Sequence, residues 1–289
     1  MTFAKRKISL EFKLAEGELD GSDKIFELDG HRTECIIAQA GVPTSHMDLR
    51  VYGVNENFIR QFSTYKILPT QIKDDVVTVS AGDDKTGMKQ VFQGTMISAV
   101  PNYSASPDIS FDIISRAGFF NKVAGAAANS FDGSTDVSSI IASLARKMGF
   151  AFTNNGVTAK LSDPYLDGTL MDQLYSVVEA AGIVCSIHNG LIAIWPNGSG
   201  VNDADITYLS KDTGLVGYPT FIRQGIVAQT EFNHDLQLGS YVQLDSIVNN
   251  ASGLWRVQSM RHELSTVDPK GKWFTTLQLT EEGFYVSIY

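Results

Sequence analysis

Residue types that could perform chemistry are few in this 289-residue chain, and they do not gather. His262 is followed by Glu263, and His234 by Asp235, pairs in which an imidazole beside a carboxylate could move a proton. Residues 257–264 read as a strand, however. Neighbouring strand residues point to opposite faces, so His262 and Glu263 cannot share one proton, and His262 is expected to be structural or to sit at an interface. Asp163 and Asp167 resemble paired carboxylates for hydrolysis. In Asp163-Pro164-Tyr165-Leu166-Asp167-Gly168 the proline, the glycine and the following Thr169 instead spell a turn ahead of a helix. Asp83, Asp84, Asp203 and Asp205 lack the ligand spacing of a calcium loop and read as solvated loop acids. Cys35 and Cys185, with His31, His46, His188, His234 and His262, give no metal-ligand spacing. Both cysteines lie in apolar runs and are expected to be buried free thiols. Gly133-Ser134-Thr135 does not follow a strand as a phosphate loop would, and no Gly-x-Ser-x-Gly elbow occurs. Asn197-Gly198-Ser199 matches a glycosylation sequon without other support. No catalytic, cofactor-binding or metal-ligating residue is assigned, no cofactor is implied, and no enzyme is expected.

Composition bounds the rest. The chain is comfortable for two or three domains, and a hydrophobic share of 43% can fill real cores. No stretch approaches the roughly 20 apolar residues of a membrane span. The basic start, Lys5-Arg6-Lys7, precedes no apolar signal core and reads as mature protein. The net charge of −9 divides into −3 over residues 1–118, −2 over 119–200 and −4 over 201–289. Spread acidity argues against tight nucleic-acid binding, which needs clustered Lys and Arg.

The elements follow from periodicity. Residues 1–118 read as mainly β: Ile8, Leu10, Phe12 and Leu14 alternate with polar residues. Asp29-Gly30 signals a tight hairpin between residues 25–28 and 32–40. Residues 48–54 make another strand, and Asn55 is placed to cap a helix with Phe58, Ile59 and Phe62 on one face. Strands resume at 76–80, 89–100 and 109–114, with a polar hairpin loop at 82–87. Residues 119–200 form an α/β insert, entered through an alanine-rich connection at 119–130. Thr135 is expected to cap a helix with Val137, Ile140, Ile141, Leu144, Ala145 and Met148 inward, ended by Gly149. A hairpin is expected next, 150–153 turning at Asn154-Asn155-Gly156 into 157–159. The α-β-β unit recurs: Thr169 caps a helix with Leu170, Leu174, Val177, Val178 and Ala181 inward, Gly182 ends it, and 183–187 and 191–195 form a hairpin. Pro196-Asn197-Gly198-Ser199-Gly200 reads as a linker. Residues 201–289 are β-rich again, with strands at 221–229, 241–244, 255–262 and 273–280. The aromatic end, Phe284-Tyr285-Val286-Ser287-Ile288-Tyr289, is expected to dock on a partner.

Three segments carry a family resemblance: Val51-Tyr52-Gly53-Val54-Asn55, Val77-Thr78-Val79-Ser80-Ala81-Gly82 and Val91-Phe92-Gln93-Gly94-Thr95-Met96-Ile97. Asn233-His234-Asp235-Leu236-Gln237-Leu238-Gly239-Ser240-Tyr241-Val242 and Gly253-Leu254-Trp255-Arg256-Val257 extend it towards the C-terminus. In order and spacing these resemble the bacteriophage tail baseplate hub protein family, whose relatives are the late-control D proteins and the hub portion of type VI secretion spikes. The resemblance implies a mainly β fold with an α+β insert, two tail-tube-like β-barrel domains (1–118 and 201–289) flanking the α/β domain (119–200). It implies a homotrimeric ring that adapts a sixfold tail tube to a threefold spike and lets DNA pass through its channel. The implied partners are a tail tube or distal tail protein above and a spike protein below. Tape measure and baseplate wedge proteins are further contacts, and genomic DNA passes without specific binding. The implied location is the virion baseplate, after synthesis and assembly in the host cytoplasm. An acidic channel wall would repel phosphates within a screening length of about 8 Å. The chain stops soon after its last strand, so a spike needle or lytic domain is expected on separate proteins. The competing readings are a tail-associated peptidoglycan hydrolase, for which Glu179 is the insert's only glutamate, and the hub of a phage-like secretion device.

Overall fold

In this computed structural model residues 5–15, 24–41, 45–64, 73–104, 106–201, 206–268 and 270–283 are described. The first region holds β1 (Arg6–Leu14), β2 (Lys24–Asp29), β3 (Thr33–Ala40), β4 (His46–Tyr52), α1 (Glu56–Phe62), β5 (Val76–Asp83), β6 (Gly87–Asn102) and β7 (Ser110–Arg116). The middle holds α2 (Phe119–Val123), β8 (Asn129–Ser130), β9 (Ser134–Asp136), α3 (Val137–Met148), β10 (Ala151–Asn154), β11 (Lys160–Ser162), β12 (Tyr165–Leu166), α4 (Leu170–Ala181), β13 (Ile183–His188) and β14 (Leu191–Pro196). The last region holds β15 (Thr207–Leu209), β16 (Leu215–Ile222), β17 (Gly225–Glu231), β18 (Tyr241–Leu244), β19 (Gly253–Ser265) and β20 (Trp273–Thr280).

Period-2 alternation decides which face of each strand is buried. On β1, Ile8, Leu10 and Phe12 turn inward and Lys7 and Glu11 face solvent. Helix α1 closes that core. Asn55 accepts a 2.8 Å bond from the Phe58 amide, which starts the helix and aims Phe58, Ile59 and Phe62 at the sheet. Phe12 meets Phe58 and Phe62 at 5.1 and 5.2 Å between ring centres, an edge-and-tilt arrangement suited to aromatic quadrupoles.

Thirteen strands join in one sheet whose main path runs β16-β17-β20-β19-β3-β4-β7-β6-β5-β1-β2, with β18 and β15 branching from β19. The β19–β3 junction carries the sheet across from the last region to the first: Ser259 to Ser265 lie opposite Ala40 to Glu34. On either side of it the same four-strand order occurs. β3-β4-β7-β6 and β16-β17-β20-β19 each consist of a hairpin, then the last strand of the unit, then the long strand preceding it. Both long strands shift register by one residue, at Ile97 between Met96 and Ser98 and at Gln258 between Val257 and Ser259. The last region thus shares a four-strand order with part of the first.

Three apolar clusters hold the chain. The first lies under β1 to β7 and draws in Leu264 and Trp273 from β19 and β20. The second packs α3 and α4 on β13 and β14, and the third lies under β16 to β20 and includes Ala193 and Trp195 of β14.

Several expectations need correcting. Asp29-Gly30 does turn, with Gly30 at φ +73°, but the strands it joins do not pair; β2 lies on β1 and β3 between β19 and β4. Residues 221–229 are not one strand: Arg223 and Gln224 turn β16 into β17. Helix α3 is preceded by Asp136 rather than Thr135, which sits in β9 opposite Leu161. Residues 150–159 form no hairpin, because β10 runs parallel to β14 and the chain then leaves towards β11. The α-β-β repeat therefore holds for helix, closing glycine and first strand only. Residues 196–200 are tied down rather than loose: Arg256 donates to Ser199 O, and the Val201 amide donates to Gly239 O at 2.9 Å. The C-terminal aromatic segment, Asp203, Asp205 and the first four residues fall outside the described residues.

Candidate interaction surface

Alternate residues that turn away from the cores make one face running unbroken over eight strands, from β16 to β6. Ion pairs cross this face along the strand registers. Arg50 on β4 stands between Glu34 on β3 and Asp112 on β7, each directly opposite it. Its Nε donates to Asp112 Oδ1 at 2.9 Å and its Nη2 to Oδ2 at 3.3 Å, a two-pronged contact. Glu34 lies 3.8 Å from Arg50 and accepts from the Tyr52 hydroxyl at 3.1 Å, while Arg32 stacks 4.2 Å over the Tyr52 ring. Burial alone would raise the Asp112 pKa, but the bonds from Arg50 and Ser110 outweigh it and leave the group below the usual carboxylate range. Partial burial likewise raises Tyr52. Each pair is half exposed and contributes at most about 1 kcal/mol; the ladder chiefly fixes side-chain positions.

Beyond the β19–β3 junction, Glu263 takes contacts from Arg261 at 3.7 Å and Lys272 at 3.1 Å. Ile36 and Ile114 lie among these charges, and a groove of about 480 Å³ crosses the junction between Ala38, His46, Arg116, Val227 and Arg261. The strands of this face carry five carboxylates (Glu34, Asp48, Asp112, Glu231, Glu263) and three guanidinium groups (Arg50, Arg116, Arg261), and Arg32 and Lys272 at its margin pair with Glu34 and Glu263. The net acidity of the chain is thus not concentrated here.

The residues weighed for chemistry do not converge. His262 is 2% exposed, bonds Thr275 Oγ1 through Nδ1 at 2.8 Å and touches the Phe232 ring edge-on, a structural setting. Glu263 points to the opposite, outer face. His234 Nδ1 meets Asp235 at 3.1 Å, and Asp235 also pairs with Lys89, which ties the β5–β6 hairpin to the last region. Asp163 accepts from the Gly133 amide at 2.6 Å in a turn, and Asp167 is exposed. Asp83 accepts from the Lys85 and Thr86 amides within its own hairpin loop, and Asp84 from the Lys5 amide. Glu179 is exposed near the end of α4. Cys35 and Cys185 are free and buried. Among the described residues no three His, Cys, Asp or Glu side chains are placed to hold a metal ion, and no helix is long and apolar enough to cross a membrane. Sequence reasoning missed Gln173, wholly buried on α4, which fixes the 119–130 connection by donating to Ala127 O at 3.0 Å. It also missed the Arg50 ladder. Gln173 gave a signal, a polar residue on an otherwise apolar helix face; the ladder gave none, since its members are far apart in sequence.

The sequence matches the baseplate hub gp41 family over residues 52–276. The chain belongs to that family. No curated protein resembles this hub protein closely enough in sequence to count as a match. Its fold is similar to that of the 43 kDa tail protein of prophage MuSo2 from Shewanella oneidensis, at 12% identity and a TM-score of 0.64, covering 96% of this chain and 97% of that one. It is also similar to the tail protein of Neisseria meningitidis MC58 (10%, 0.63, 96% and 98%). A third likeness is to the Escherichia coli c3393 protein, a type VI secretion component described as similar to bacteriophage T4 tail proteins gp27 and gp5 (10%, 0.59, 89% and 76%). At these identities the likenesses speak for the fold. The mainly β architecture and the hub family named from the residues agree with them.

Proposed function

We propose that this hub protein is the structural centre of a phage tail baseplate, a homotrimeric ring that joins the sixfold tail tube to the threefold spike and lets DNA pass through its channel. The observation that carries this reading is the repeated four-strand order, β3-β4-β7-β6 and β16-β17-β20-β19, joined edge to edge at β19–β3. Two equivalent units per chain let three chains present six. In this reading residues 1–118 and 201–289 are tube-like barrels and 119–200 an outer insert. The continuous ion-paired face lines the bore. Its charges are largely matched in pairs, so passing phosphates meet neither a strongly attracting nor a uniformly repelling wall.

A tail tube or distal tail protein stacks above and the spike below, with tape measure and wedge proteins as further contacts, in the virion after assembly in the host cytoplasm. The hub does no chemistry of its own. The test is mass determination in solution with negative-stain imaging of the purified chain. A threefold particle with a central hole is expected; a particle without a bore would overturn the reading.

A further inference from the structure

The bulge in β19 opens a cleft. β19 pairs with β18 as far as Arg256, opposite Tyr241, and takes up β3 from Ser259, opposite Ala40. Between these two partners the extra residue Gln258 breaks the register with β20. The insert closes over this stretch: Val178 of α4, Ile183 and Val184 of β13 and Trp195 of β14 line, with Val257 and Gln258, a chamber of about 240 Å³. Ala40, Ser259 and Gln278 line both this chamber and the groove of about 480 Å³ across the β19–β3 junction, so the two form one continuous cleft.

The two ends of the cleft differ in chemistry. The chamber is walled mainly by apolar side chains, and an apolar cavity of about 150 Å³ already takes a benzene ring. The groove is floored by Ala38, Ala40 and Val227 and rimmed by basic groups: Arg261 on β19, and His46 and Arg116 opposite each other on β4 and β7. Ala38 separates the two sides, opposite Arg261 in one direction and His46 in the other. Glu263 and Asp48, in the next row of the same face, do not line the groove. Glu263 meets Arg261 at 3.7 Å, while Arg116 stands exposed and in no ion pair among the described residues. The chamber also holds an orphan. Gln258 Oε1 is buried without a hydrogen-bond partner among the described residues, so it calls for a donor.

We infer that this cleft binds an extended segment of a partner protein that carries a large apolar side chain and an acidic side chain two or three residues apart. The apolar anchor enters the chamber, a backbone N–H of the segment donates to Gln258 Oε1, and the carboxylate lies between Arg261 and Arg116. The spacing follows from β19, on which Gln258 and Arg261 are separated by about 10 Å of strand. A fatty acid offers a carboxylate and an apolar chain but no donor for Gln258. A nucleic-acid strand brings phosphates at every step, beside Glu263 and Asp48 as well as beside the arginines. The anchor supplies most of the affinity, and the basic rim decides which segment is accepted. The cleft lies within one chain, so its occupancy does not depend on the ring.

The test selects from a random library of capped pentapeptides with the full chain, then measures the enriched peptides, fluorescently labelled, by anisotropy. Enriched sequences should pair Leu, Met or Phe with Asp or Glu two or three positions away. Arg116→Glu reverses an exposed charge on the rim, and Ala40→Trp fills the exposed stretch common to groove and chamber. Each should weaken binding by roughly tenfold or more, with the circular dichroism unchanged. A library that yields no enrichment, enriched peptides without a carboxylate, or binding that both variants leave intact overturns the proposal. Three competitors decide the occupant: a hexapeptide of this chain's own Phe284 to Tyr289, a single-stranded oligonucleotide, and excess unlabelled chain scored for self-association. Displacement of the labelled peptide by the first or second at equal concentration, or its exclusion as the chain self-associates, gives the cleft to that occupant and overturns the foreign segment.

Discussion

His262 is held as a neutral imidazole: burial pushes its pKa down to about 4. The same ring in an unfolded chain takes its proton near pH ~6.5. The unfolded state therefore binds the proton first, so the stability tied to His262 is complete above about pH 6.5 and is lost as pH falls towards 4. His188, whose pKa burial also lowers, acts in the same direction. Asp112 occupies a separate window: its pKa is lowered, so its contribution is present above the ordinary carboxylate value of about 4 and is lost below it. His262→Gln, whose amide can still bond Thr275, should flatten the fall in stability between pH 6.5 and 4 by up to roughly 3 kcal/mol, as read from urea unfolding at stepped pH. Parallel pH profiles for wild type and variant would show that the fold accepts a charged ring. The thiols give a second expectation. Burial raises Cys35 well above the usual thiol range and Cys185 up to about 12, so neither presents a thiolate at neutral pH. Both should resist thiol reagents in the native protein and react in denaturant; rapid native labelling would contradict their placement.

The helices separate capping that matters from capping that does not. Asn55 bonds the Phe58 amide, and Thr169 exchanges bonds with Asp172 in a capping box, which also lowers the Asp172 pKa. Asn55→Ala and Thr169→Ala should each cost about 1 kcal/mol in chemical unfolding. Asp136 precedes α3 without a side-chain cap bond and only meets exposed Lys160 at 3.4 Å, so Asp136→Ala should cost less than about 0.5 kcal/mol. Equal losses at all three positions would remove the distinction. Local signals of this kind were legible in the chain: the inward positions of α3, the Asn55 and Thr169 caps, the glycines that end α3 and α4, and the Asn189-Gly190 turn between β13 and β14. What failed was partner choice. The segment 150–153 has the residues of a strand, but its pairing with β14 is settled some forty residues later, and Asn154 spends its side chain on Val157 rather than on a hairpin. The turn at Arg223-Gln224 lacks a strong turn pair before Gly225, so β16 and β17 read as one. The ion-paired face was invisible for the same reason, since Glu34, Arg50 and Asp112 meet only through the β3-β4-β7 register.

At the scale of the molecule, the β19–β3 junction makes the two β units one body. Seven register pairs cross it, and Leu264 and Trp273 from the last region complete the core of the first. Neither unit can lose its sheet without exposing part of the other's core, so the two should unfold together. The tryptophans report on this separately: Trp273 belongs to the first core, Trp195 and Trp255 to the third, and all three are buried. A chain keeping Trp273 alone and a chain keeping Trp255 alone, the others replaced by Phe, can each be unfolded in urea and followed by fluorescence and circular dichroism. Within each variant the two signals should share one midpoint, because either tryptophan senses the same cooperative loss. A Trp273 signal that separates from the circular dichroism would mean that the junction is a contact between independent units. The same coupling bears on the proposed ring. In that reading a rigid junction inside each chain fixes the angle between its two units, and that angle sets how many units close a circle. Trp273→Ala should then cost about 3–5 kcal/mol by emptying the shared core and should also broaden the distribution of assembled masses. A destabilised variant that still assembles as uniformly as wild type would separate the closure angle from the junction core.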